Sequence, residues 1–102
     1  VIDLAEHPLK VFEKADPGLL KLVQETGEFA LAEGALPKRF KILIAMALDA
    51  AHGAVGGVQA LAGQAMEAGA TTEEITETLR VAQYVSGVGC VYIAGHALKE
   101  LL

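Results

Sequence analysis

Apolar residues recur along the chain at helical spacing, and short polar or glycine-containing breaks divide them into segments of helix length. A short first helix is predicted near Pro8 to Lys14, with Leu9, Val11 and Phe12 on its apolar side. Asp16-Pro17 opens a longer helix, with Asp16 as N-cap and Pro17 at the first position, where its missing N–H costs nothing. Leu19, Leu20, Leu22, Val23, Phe29 and Leu31 are its apolar positions, and Gly34 is the expected end. Leu36-Pro37 opens a third helix in which Phe40, Ile42, Leu43, Ile44, Met46 and Leu48 point all round the axis, the pattern of a central helix.

The stretch from His52 to Gly57 holds Gly53, Gly56 and Gly57, which suits a helix break or the close approach of another backbone. A fourth helix is expected from about Ala54 to Ala68, ending at Gly69. Thr71-Thr72-Glu73-Glu74 has the form of a capping box and starts a fifth helix, with Ile75, Leu79, Ala82 and Val85 assigned to its inner side. After Ser86-Gly87-Val88-Gly89, a closing helix is predicted over Cys90 to Leu102. No period-two alternation runs long enough to form a strand, so the expected class is all-α, about six helices in a single domain over 1–102.

Composition adds an expectation about assembly. Of the 102 residues, 53% are apolar but only 5% aromatic, and a chain this short hides only about 60 to 70% of its unfolded surface. The surplus predicts a homo-oligomer. Eight basic residues against thirteen acidic ones leave a net charge of −5, and the basic residues are scattered, which disfavours a nucleic-acid partner. From Val81 to Leu98 the chain has no Asp, Glu, Lys or Arg, but Gln83, Ser86, Gly87, Gly89, Gly95 and His96 interrupt it. It reads as a buried helix of a soluble protein rather than a membrane span. One cysteine, Cys90, permits no intrachain disulfide, and no secretory signal is apparent, so a reducing cytoplasm is the expected location.

Three stretches carry a resemblance: Leu36-Pro37-Lys38-Arg39-Phe40-Lys41, then Leu43-Ile44-Ala45-Met46-Ala47, then Ala65-Met66-Glu67-Ala68-Gly69-Ala70-Thr71-Thr72-Glu73-Glu74-Ile75. Together the sequence from about Gly34 to Leu102 resembles the carboxymuconolactone decarboxylase family, which includes alkyl hydroperoxidase D. The resemblance implies an all-α, alkyl hydroperoxidase D-like helical bundle, assembly into homotrimers or homohexamers, and an active site between helices near subunit contacts. Redox members carry a C-x-x-C pair with a His four residues after it, and a Glu on the preceding helix. The matching positions here hold Ala54, Gly57, Leu61 and Ile42. Family decarboxylases keep a His at the position of Leu61, where leucine cannot act as an acid. The resemblance therefore implies family membership without a dithiol relay, because a thiol peroxidase needs a thiolate and a resolving partner.

The remaining candidate residues each have a functional and a structural interpretation. Cys90, beside Gly89 at the predicted helix start, is either a thiol activated by the helix dipole, as in a peroxide-related reductase, or a small buried hydrophobe. It lies six residues from His96, roughly 120° apart on a helix, so the two form no local pair. Tyr92, His96 and Glu100 share one helical stripe and form either an acid–base row or a solvated face. Asp49 and His52, three apart at the end of the central helix, form either a proton carrier or a helix-end cap. Either His52 or His96 is a candidate base for a decarboxylase-like enzyme. Asp49, His52 and His96 are too scattered for a metal site, and no cofactor is expected. Gly53 and Gly57, with Ala50 and Ala54 at the same spacing, are read as a seam for helix packing. The function expected from these residues is to bind or transform a small molecule at a subunit boundary.

Overall fold

The computed structural model describes residues 7–102. Among them the chain is helical, with no strand: a 3-10 turn at Pro8–Val11, then α1 (Phe12–Ala15), α2 (Pro17–Leu31), α3 (Lys38–Ala51), α4 (Val55–Glu67), α5 (Thr72–Ser86) and α6 (Gly89–Leu98). The contacts divide the chain into two compact units, one ending at Ala32 and one from Glu33 to Leu102.

In the first unit the anticipated single helix at Pro8 to Lys14 is a 3-10 turn running directly into α1. The Asp16 carboxylate accepts from the Leu19 N–H at 3.0 Å, with Pro17 in the first position of α2, so the start of α2 follows from these two residues. Its end does not use Gly34. Ala32 adopts an extended conformation and stops the helix at Leu31. Only Leu20 of α2 is buried; Leu19, Leu22, Val23 and Phe29 are exposed, Phe29 by 85%.

In the second unit, α3 contacts α4, α5 and α6, and α6 also packs on α4 and α5. The core is formed by Ile42, Leu43, Met46 and Ala50 of α3, Val58, Ala62 and Ala65 of α4, Ile75 and Ala82 of α5, and Cys90, Ala94, Ala97 and Leu98 of α6. Alanine dominates α4 and α6 at these contacts, which lets the helices pack closely without aromatic filler. The central position expected for α3 holds, but its burial is one-sided. Phe40, Ile44 and Leu48, four residues apart, form an exposed apolar stripe.

The helix ends in this unit show why the chain turns where it does. Gly53, at φ +80°, breaks the chain between α3 and α4, while Gly69 at φ +100° and Gly87 at φ +92° follow α4 and α5. These left-handed conformations favour glycine. The capping box forms as expected: the Thr71 Oγ1 accepts from the Glu74 N–H at 3.1 Å, and the Glu74 carboxylate accepts from the Thr71 N–H at 2.9 Å. On α5, Ile75 and Ala82 are buried as predicted, but Val85 is exposed. At 100° per residue Val85 lies roughly 80° away from Ile75, outside the buried sector. α6 is shorter than the predicted Cys90 to Leu102. It ends at Leu98, and the Leu101 N–H closes a tighter turn on the Leu98 carbonyl at 2.9 Å. No helix among the described residues is long and apolar enough to cross a membrane.

Candidate functional site

Asp49 stands in the last turn of α3, half-buried, and faces the first turn of α4. Gly57 is the third residue of α4. A Cβ at Gly57 would collide with the Asp49 carboxylate, with its Cγ at 2.8 Å. The carboxylate thus occupies the volume that a side chain at position 57 would need. The two helices are joined through a tight break, in which the Ala54 N–H bonds the Asp49 carbonyl at 2.8 Å and the Val55 N–H the Gly53 carbonyl at 3.1 Å. This break brings the end of α3 against the start of α4. A negative charge at that end of α4 is favoured by the helix dipole and its free N–H groups. The role anticipated for Gly53 and Gly57 as one helical seam is therefore divided. Gly53 makes the turn, and Gly57 admits Asp49.

His52 caps α3 through its backbone, its N–H bonding the Leu48 carbonyl at 3.0 Å, and its residue is exposed. Among the described residues no hydrogen bond or ion pair joins its imidazole to Asp49. Ala54, Gly57 and Leu61, the positions where redox relatives would carry Cys, Cys and His, are all half-buried, and Ile42 is in the core. The side chains at these positions supply no thiol, imidazole or carboxyl, so Asp49 is the acidic group set against this part of α4.

The candidates on α6 are dispersed. α6 begins one residue earlier than predicted, at Gly89, so Cys90 is its second residue, and the Cys90 side chain turns inward and is only 4% exposed. Tyr92 and His96 lie four apart and are exposed. Glu100 lies two residues beyond the end of α6, and no hydrogen bond links the three among the described residues. No group of three His, Cys, Asp or Glu side chains that could hold a metal ion occurs among the described residues.

A second polar arrangement, which the sequence signalled only as a cap, ties two helix starts together. Arg39, in the first turn of α3, reaches Glu74 of the capping box at 3.5 Å, and its guanidinium lies over the Phe40 ring at 4.6 Å from the centroid. Arg39 belongs to the Leu36-to-Lys41 motif and Glu74 to the Ala65-to-Ile75 motif, so the two most distinctive stretches meet in one structural contact. Its residues support the bundle.

The carboxymuconolactone decarboxylase family profile matches residues 17–100. The fold is also similar to the crystal structure of an apo carboxymuconolactone decarboxylase family protein from Legionella pneumophila, with a TM-score of 0.83 and 35% identity over 89% of this chain and 81% of that one. No curated protein matches the chain. The chain belongs to the carboxymuconolactone decarboxylase family.

Proposed function

We propose that this family member works without a dithiol relay, as a cytoplasmic homo-oligomer that binds or transforms a small molecule at a subunit boundary, with Asp49 as its principal polar group. The observation that carries the proposal is the Asp49 carboxylate lodged against Gly57, where redox relatives would place a thiol. A carboxylate there accepts a hydrogen bond or a proton from a ligand and cannot form a disulfide. His52, exposed three residues further on, is the nearest candidate in sequence to carry a proton to solvent. The burial of Cys90 counts against the alternative of a thiol reductase, since a reactive thiol must be reached by its oxidant.

A thermal-shift screen of the purified protein against small organic acids, lactones and their amides tests the proposal, run in parallel on Asp49→Asn. Compounds that raise the melting temperature of the wild type and lose that effect in the variant support it. Compounds that stabilise both proteins equally would remove Asp49 from the site.

A further inference from the structure

The Asp49 carboxylate carries a charge that its surroundings leave uncompensated. From Ile42 to Leu79 the chain has no Lys or Arg, a stretch that includes the whole of α4 and all of α3 after its first turn. Lys38, Arg39 and Lys41 stand at the opposite end of α3, and Arg39 is engaged with Glu74. Even Lys41 is about 12 Å from Asp49 along the helix axis, beyond the Debye length of about 8 Å at physiological salt. Among the described residues no hydrogen bond or ion pair reaches the Asp49 carboxylate. The helix ends do not neutralise it either, because the positive end of the α4 dipole, about +0.5 of a charge, meets the negative end of α3, about −0.5.

Beside this charge the surface is small and apolar. Ala54, Gly57 and Leu61 stand on one side of the α4 start, all half-buried, and offer a methyl, bare backbone and a leucine side chain. A Cβ added at Gly53 or Gly56 would meet nothing within 4 Å, and both residues are exposed, so the break and the first turn of α4 are open to a ligand. We infer that this site takes a small organic cation, an ammonium group on a compact apolar body, and turns away carboxylates; the inference rests on the reading of Asp49 in the proposed function. The ammonium donates to the Asp49 carboxylate in a hydrogen bond between opposite charges, roughly twice as strong as a neutral one. The apolar body covers Ala54 and Leu61. A ligand carboxylate meets a like charge with no Lys or Arg at hand to bridge the two, and the net charge of −5 adds a long-range bias in the same direction. A neutral amide, which donates without a charge, ranks between them.

Three probes that share one ring test the assignment by nuclear magnetic resonance titration of the purified chain: cyclohexylmethylamine, cyclohexanecarboxamide and cyclohexanecarboxylate at neutral pH. The amine is expected to shift the backbone amide signals of Gly53, Gly56 and Gly57 saturably, the amide more weakly, and the carboxylate not at all. Asp49→Asn is expected to weaken amine binding about ten-fold. Glu67→Gln removes the same charge at the far end of α4 and is expected to leave binding unchanged. On the wild type alone, rising salt is expected to weaken the amine and spare the amide. A carboxylate that binds at these glycines as well as the amine, and loses binding in Asp49→Asn, would overturn the choice of a cation and keep Asp49 in the site. Amine binding that survives Asp49→Asn, or falls equally in Glu67→Gln, would overturn the inference and remove Asp49 as the selecting group. Glycine signals that none of the three probes moves would overturn it as well.

Discussion

Arg39 and Glu74, on separate helices, meet at 3.5 Å while the same Glu74 carboxylate closes the capping box on Thr71. One side chain therefore satisfies the start of α5 and ties it to the start of α3. Both partners are about one-third exposed, so the ion pair alone is worth little, and the cap contributes the larger share. Glu74→Ala is expected to destabilise the protein by about 1 to 2 kcal/mol, and Thr71→Ala by about 1 kcal/mol. Glu74→Gln keeps an oxygen for the Thr71 N–H and should cost less than either. Urea denaturation followed by circular dichroism measures all three. A full-size loss with Glu74→Gln would show that the ion pair outweighs the cap.

Gly57 makes a second prediction, because alanine normally favours a helix over glycine by about 1 kcal/mol. Gly63→Ala, at a position on α4 with nothing within 4 Å of an added Cβ, should show that gain. Gly57→Ala is expected to lose about 1 to 3 kcal/mol instead, since the methyl must displace the Asp49 carboxylate. In an Asp49→Ala background the penalty should vanish, giving a coupling of about 0.5 to 3 kcal/mol in a double-mutant cycle. Additive effects would show that the carboxylate does not fill the space over Gly57.

Features set by local chemistry were legible in the sequence, and features set by packing between helices were not. Asp16 and Pro17 start α2, and Thr71 with Glu74 starts α5, because an N-cap is satisfied within three residues. Gly69 and Gly87 mark helix ends through backbone freedom alone. Spacing places Glu100 on the stripe of α6, but spacing cannot show where a helix without a cap glycine ends, here at Leu98. Apolar pattern likewise puts Val85 inside and α3 wholly in the core, since it cannot show which apolar positions the neighbouring helices cover. The site shows the same limit. Asp49 was a candidate because of His52, its neighbour in sequence, whereas the contact that defines it is with Gly57 across the break. The small residues between them were the only sign of that approach.

Cys90 illustrates a residue whose two interpretations separate in one experiment. Its 4% exposure predicts slow alkylation of the folded protein and fast alkylation in denaturant. Cys90→Ser should cost about 1 to 3 kcal/mol, through a hydroxyl placed in an apolar core, and keep the helical spectrum. Fast alkylation of the native thiol would show that it is reached from solvent.

The most direct test of a role without thiol chemistry is the rate of peroxide consumption, followed in stopped flow with an external thiol as reductant, for the wild type beside Cys90→Ser. With Ala54 and Gly57 in place of a cysteine pair and Cys90 buried, the wild type is expected to consume peroxide no faster than the variant. A wild-type rate well above that of Cys90→Ser, sustained over many turnovers, would contradict the account and make the protein a single-cysteine peroxide reductase.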